Sequence, residues 1–295
     1  MSVAEETAIA KTGVLYRVKD FMMLMKLRLS VLVVISAVAG YFFGGGLFNA
    51  DLLVLCLGGF LITGSSNAFN QIWERESDKL MKRTKSRPLP AGRMGVIEAG
   101  IFASLLGIGG AYLLFTLNDL AGILGVSALL SYVFVYTPMK KISPWAVFIG
   151  AFPGAIPPLL GVVAVTGDFN LAVGILFLFQ FMWQFPHFWA IAWFANDDYK
   201  KAGFRLLPLK SEKSKNTSFL ILLYTIITVL CGFLPWFFGF TGTTSLIVGA
   251  IAGCWFYYKA LKLHTTLSDK AARSLMFASF IYLPIIQFLY VFDKV

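Results

Sequence analysis

The sequence predicts an all-α integral membrane protein of nine transmembrane helices. Three observations carry that reading. The 295-residue chain is 58% hydrophobic and 14% charged, whereas a soluble domain carries roughly a quarter charged residues; its mean hydropathy is +0.76. Predominantly apolar runs of about 20 residues, long enough to cross a bilayer core, recur along the whole chain. The basic residues gather in every second loop between those runs.

In chain order the spans are predicted at 22–46, 51–73, 95–117, 119–137, 144–166, 169–195, 217–239, 243–263 and 273–292. They are helices, because barrel strands would be shorter and would alternate in polarity. Loops on one side hold 24 of the 25 Lys and Arg residues, and Lys294 stands alone on the other. The positive-inside rule then places the N-terminus in the cytoplasm and the C-terminus outside. Topology therefore explains the net charge of +10. Nucleic acid does not, since the basic residues punctuate apolar spans and form no separate tail or domain. Residues 1–20 read as a cytoplasmic segment of a single transmembrane domain over 1–295, without a cleavable signal peptide. Cys56, Cys231 and Cys254 lie in apolar runs, fit no metal or disulfide spacing, and read as small buried hydrophobes. The long loops after spans 2 and 6 share the basic side and both begin with carboxylates, a four-span offset that hints at an internal repeat.

Span 2 runs into NQIWERESDKLMKRTKSRPL, residues 70–89. On a helix Asn70, Glu74 and Asp78 drift only about 80° around the axis, so they share a face. Glu76 lies about 200° from Glu74 and reads as a solvated charge or a supporting partner. Carboxylates stacked at a membrane edge need a partner. Hard oxygen ligands suit Mg²⁺, which keeps waters and bridges to phosphate oxygens. Arg83 and Arg87, among the bases that follow, suit the phosphates.

Span 6 runs into FLFQFMWQFPHFWAIAWFANDDYKKAGFRLLP. Gln180, Gln184, His187 and Asp198 fall within about 60° on a helical wheel, with Pro186 predicted to kink the helix. A stripe of amides and imidazole does not face lipid. His187 reads as a core histidine, a substrate contact or an axial iron ligand. YTPMKK, residues 136–141, brings Tyr136 and Lys140 to the same side, where Lys26 and Arg28 also enter span 1. PGAIPP, residues 153–158, predicts a broken or kinked helix beside a pocket. Two acidic clusters and several cations point to a metal-bridged polyphosphate. If the other end of that molecule is an isoprenoid chain, it would lie in the aromatic interior (16% Phe, Trp and Tyr), and the chemistry would be prenyl transfer within the membrane. Mg²⁺ would improve diphosphate as a leaving group, and aromatic faces would stabilise an allylic cation. A transporter using the acidic stripes for cations is the reading from another class, although transporter sites usually lie near the midplane.

These motifs resemble the UbiA superfamily of intramembrane prenyltransferases. The resemblance rests on N-x3-E-x3-D-x2-M-x-R-T-x2-R-P-L at 70–89, on YTPMKK, and on G-x-x-PG-x-x-PP-x-x-G at 150–161. WQFPHFWAIAWFANDDYKKAGFRLLP at 183–208 is similar to the branch that farnesylates protohaem IX. It implies a UbiA-type bundle in the plasma or inner membrane, its active site facing the cytoplasm. It implies transfer of farnesyl from farnesyl diphosphate to a vinyl group of haem b, giving haem O; an aromatic quinone precursor is the alternative acceptor. Asn70, Glu74, Asp78 and Asp198 would hold Mg²⁺ and diphosphate. Arg28, Arg83, Arg87, Tyr136, Lys140 and Lys201 would bind diphosphate. Gln184 and His187 would line the haem pocket. Haem A synthase or terminal-oxidase assembly factors would be partners. The chain departs from the family pattern in carrying Glu74 and Glu76 where Asp is usual, and in flanking Asp198 with Phe194 and Ala202 in place of a D-x3-D repeat.

Overall fold

The computed structural model describes residues 14–209 and 212–295. Lys11, Lys210 and residues 1–13 of the predicted N-terminal segment lie outside them. The described helices are α1 (Val14–Leu24), α2 (Leu27–Phe43), α3 (Ala50–Leu80), α4 (Val96–Leu117), α5 (Asp119–Ile142) and α6 (Ala146–Thr166). They continue with α7 (Leu171–Phe194), α8 (Asn196–Lys201), α9 (Lys215–Phe237), α10 (Thr243–Thr266) and α11 (Asp269–Phe292). Among the described residues eight helices are long and apolar enough to cross a membrane, or nine if the bent pair α1 and α2 counts as one span. No strand occurs among them; Thr241 and Lys294 make one isolated bridge.

The first span departs from its predicted course. The chain breaks at Met25 and Lys26, with a bend of 49° between the two helices. Lys26 takes the left-handed conformation there, at φ 50°, which is uncommon for a residue with a Cβ. A break in apolar surroundings exposes carbonyls that must find donors. Two amides on α3 supply them. Gln71 Nε2 donates to the carbonyls of Met23 and Leu24, at 3.1 and 2.7 Å, and Asn67 Nδ2 donates to Met25 O at 3.2 Å. Ser30 Oγ adds a bond to Met25 O at 2.8 Å.

The PGAIPP segment, predicted to break or kink its helix, lies inside a single assigned helix, α6, with Pro153, Pro157 and Pro158 all internal. Pro158 cannot donate to Gly154 O. Gln180 Nε2 from α7 does so instead, at 2.9 Å. The glycines of the motif serve close packing. A Cβ at Gly161 would overlap Ala37 O, and one at Gly40 would overlap Pro158 O, so α2 and α6 meet backbone to backbone. YTPMKK also stays helical: α5 passes through a π-helical stretch, Ser131–Tyr136, and resumes at Thr137. Such stretches are frequent at functional sites. Cys231 is buried as expected, but Cys56 is half-buried and Cys254 is exposed, because it lies on the outer face of α10.

Candidate active site

α3 runs without interruption for 31 residues, well past its apolar part. It therefore carries Asn70, Glu74 and Asp78 on one inward stripe, and all three are buried. They line a cavity of about 430 Å³ together with Lys26, Arg83, Arg87, Tyr132, Tyr136, Lys140 and Tyr199. This polar ring sits at the end of the bundle that holds the basic loops. Below it the same cavity divides its lining between two apolar walls. One is built from α2, α3, α5 and α6, with Val33, Ala37, Ile62, Gly125 and Leu160. The other is built from α7 and α11, with Trp183, Gln184, His187, Phe188, Phe280 and Pro284.

Each acid in the ring has a base. Lys140 Nζ donates to Glu74 Oε1 at 2.8 Å, and both side chains are at most 10% exposed. Arg87 donates to Asp78 Oδ2 at 2.6 Å. Lys26 Nζ donates to Asn70 Oδ1 at 3.0 Å. Asn70 Nδ2 donates to Thr137 Oγ1 at 3.2 Å, and Thr137 Oγ1 to Tyr132 O at 2.9 Å. The π-helical turn is thus tied to the acidic stripe. Lys140 also lies over the Tyr136 ring, 4.5 Å from its centroid. Arg83 donates to Tyr199 Oη at 2.9 Å and stacks over its ring at 5.1 Å.

Among the predicted site residues, the structure brings together Asn70, Glu74, Asp78, Arg83, Arg87, Tyr136, Lys140, Gln184 and His187. Asp198, Arg28 and Lys201 are not in the cavity wall. α7 ends at Phe194, and Ala195 leaves helical geometry, so the phase that aligned Asp198 with Gln180, Gln184 and His187 is lost. Asp198 is half-buried on α8 and acts on Arg83 only through its charge. Arg28 and Lys201 are exposed, on the outer faces of the first turn of α2 and the last residue of α8. Glu76 is a solvated charge paired with Lys79 at 2.8 Å. Sequence reasoning passed over Tyr199, which stands beside Asp198, and the structural amides Asn67 and Gln71. Polarity inside an apolar run was the signal for both amides.

The donor set fits a magnesium ion. Asp78 Oδ1 is buried with no hydrogen-bond partner among the described residues. The Glu74 carboxylate and Asn70 Oδ1 stand on the same stripe, about one and two turns away. Among the described residues no group of three His, Cys, Asp or Glu could cage a metal. Two carboxylates and an amide suit Mg²⁺, which is usually held by one or two carboxylates and completed by water and phosphate oxygens.

A sequence profile of the UbiA prenyltransferase family matches residues 33–283. The chain is 49% identical over 275 residues to the protoheme IX farnesyltransferase of Cytophaga hutchinsonii, covering 92% of this chain and 96% of that one. It is 44% identical to the protoheme IX farnesyltransferase of Flavobacterium psychrophilum, covering 93% and 94%. Its fold matches a digeranylgeranylglyceryl phosphate synthase at a TM-score of 0.77 with 24% identity, over 94% and 98% of the two chains. It also matches a UbiA homologue from Archaeoglobus fulgidus bound to GPP and Mg²⁺ at 0.66 with 14% identity, over 92% and 99%. The chain belongs to the UbiA prenyltransferase family.

Proposed function

We propose that this protein transfers the farnesyl group of farnesyl diphosphate to a vinyl group of haem b, giving haem O. Protoheme IX as acceptor and farnesyl as the transferred group are in the name of relatives at up to 49% identity. The observation that carries the reading is the ring of mutually paired acids and bases at the mouth of an apolar cavity. Glu74 pairs with Lys140, and Asp78 with Arg87. Asn70, Glu74 and Asp78 would hold Mg²⁺, and Lys26, Arg83, Arg87 and Lys140 would hold the phosphate oxygens. Mg²⁺ held there would neutralise the diphosphate and improve it as a leaving group, and magnesium accompanies a prenyl diphosphate in the Archaeoglobus homologue.

The remaining work falls to side chains of this protein. Lys140 and Arg83 hold the diphosphate oxygens as the allylic C–O bond breaks, so charge develops against fixed cations. Tyr132 and Tyr136 line the cavity, where aromatic side chains would stabilise the carbon that becomes positive. The vinyl carbon of haem forms the new C–C bond. Water then adds to the resulting cation and loses a proton, leaving the hydroxyl of haem O. The apolar wall from α2, α3, α5 and α6 takes the farnesyl tail and keeps other water from the cation. The wall from α7 and α11 takes the haem, with Gln184 and His187 toward it. The chain acts as one transmembrane domain with its basic loops and cavity mouth in the cytoplasm.

The test is mass spectrometry of haems after incubating the purified chain with haem b, farnesyl diphosphate and Mg²⁺. A hydroxyethylfarnesyl adduct is expected. Diphosphate release without the adduct would point to another acceptor.

A further inference from the structure

The wall from α7 and α11 contains a hydrogen-bonded chain whose direction is fixed. Ser279 is fully buried on α11, and its Oγ donates to Met276 O at 2.6 Å. A carbonyl only accepts, so that bond consumes the single hydroxyl proton. The same Oγ lies 2.7 Å from His187 Nδ1. With its proton committed, Oγ must be the acceptor and Nδ1 must carry the hydrogen. The imidazole ring is clamped besides: Trp183 stacks on it at 4.6 Å and 14°, and Phe280 meets it edge-on at 4.5 Å. Trp183 is held in turn by Nε1 donating to Ser279 O at 2.9 Å. One residue thus anchors both the ring and its stacking partner. No counter-charge stands among these contacts, so the neutral ring is favoured in this apolar wall. Nε2 is left as a lone pair, with no hydrogen bond among the described residues, on a side chain that lines the cavity.

We propose that Ser279 is a positioning residue that holds His187 in its Nδ1–H tautomer, so that Nε2 offers its lone pair to the iron of the haem acceptor. The inference rests on the haem reading of the α7–α11 wall. It adds the group that decides which nitrogen binds and how the ring is aimed, as partners of the distal nitrogen do for metal-bound histidines generally. Losing such a partner typically costs about 10- to 100-fold in affinity for the metal.

The experiment titrates ferric haem b into the full-length protein in detergent and reads the optical and electron paramagnetic signature of imidazole-ligated iron. Ser279→Ala is expected to lower affinity for the imidazole-ligated form by about tenfold or more, while farnesyl diphosphate binding is unchanged. Ser279→Thr keeps the oxygen and is expected to restore the signature; Ser279→Cys, a weak acceptor, should fall between. Both of these also report on ligation if Ser279→Ala fails to fold. His187→Ala separates the two layers. If it abolishes the signature while every Ser279 variant retains it at full affinity, the positioning role is overturned and the haem reading survives. If His187→Ala leaves the signature intact, or the parent protein shows none, His187 does not ligate the iron and the inference falls with it.

Discussion

The two acidic loops at the basic end of the bundle look alike in sequence and differ in what they deliver. Each follows an apolar span and begins with carboxylates. After the second span the helix continues to Leu80, so Asn70, Glu74 and Asp78 keep helical phase and end buried against Lys26, Lys140 and Arg87. After the sixth span the helix stops at Phe194, and Asp198 sits outside the cavity while Tyr199 reaches its wall. The comparison teaches that helix continuity, more than the presence of an acid, decides whether a carboxylate becomes part of the site.

The sharpest way to break this asymmetry is to neutralise one acid from each loop. Asp78→Ala should reduce haem O formation by about a thousandfold, because it removes both the partner-free Oδ1 and the partner of Arg87; chromatography of extracted haems measures it. Asp198→Asn should cost only about twofold, as a solvent-screened charge does. Equal losses would show the loops to be equivalent.

Lys140→Met comes next. It leaves Glu74 as an uncompensated buried charge, and should destabilise the protein by about 3–5 kcal/mol in detergent unfolding. Adding Glu74→Gln should recover much of that stability and none of the turnover. Full recovery of turnover would remove the pair from the site. Within the second loop, Tyr199→Phe should raise the KM for farnesyl diphosphate about fivefold with little change in kcat, because Arg83 loses the hydroxyl that aims it.

The smallest effect lies at the opposite end of the molecule. Hydrogen bonds from Ser245, and then from Thr244 and Gly242, lower the Asp293 carboxyl below its ordinary value of 3.8. A depressed acid stabilises the fold fully above its unfolded value, and this is lost as pH falls through the folded one. Asp293→Asn should therefore flatten the acid limb of the stability profile below about pH 4, with turnover at neutral pH unaltered.

Much of this was legible in the chain. Each predicted span has a helix, and the 3.6-residue period put Asn70, Glu74 and Asp78 on one face because α3 is regular throughout. Gln180, Gln184 and His187 were aligned for the same reason, and all three line the cavity. The errors fall where regularity ends. The break at Lys26 depends on Gln71 and Asn67, more than 40 residues away. The helix through Pro158 depends on Gln180 from the neighbouring helix.

The amino-acid order alone determined that the chain crosses a membrane and carries an acidic stripe beside its bases, because hydropathy and helical periodicity are local properties. It did not determine which base meets which acid, whether Asp198 or Tyr199 faces the cavity, or which nitrogen of His187 carries the proton. Those depend on distances between helices far apart in sequence. In a low-dielectric interior each buried polar atom must find its partner across those gaps, and only the packed bundle brings Lys140 to Glu74 and Ser279 to His187.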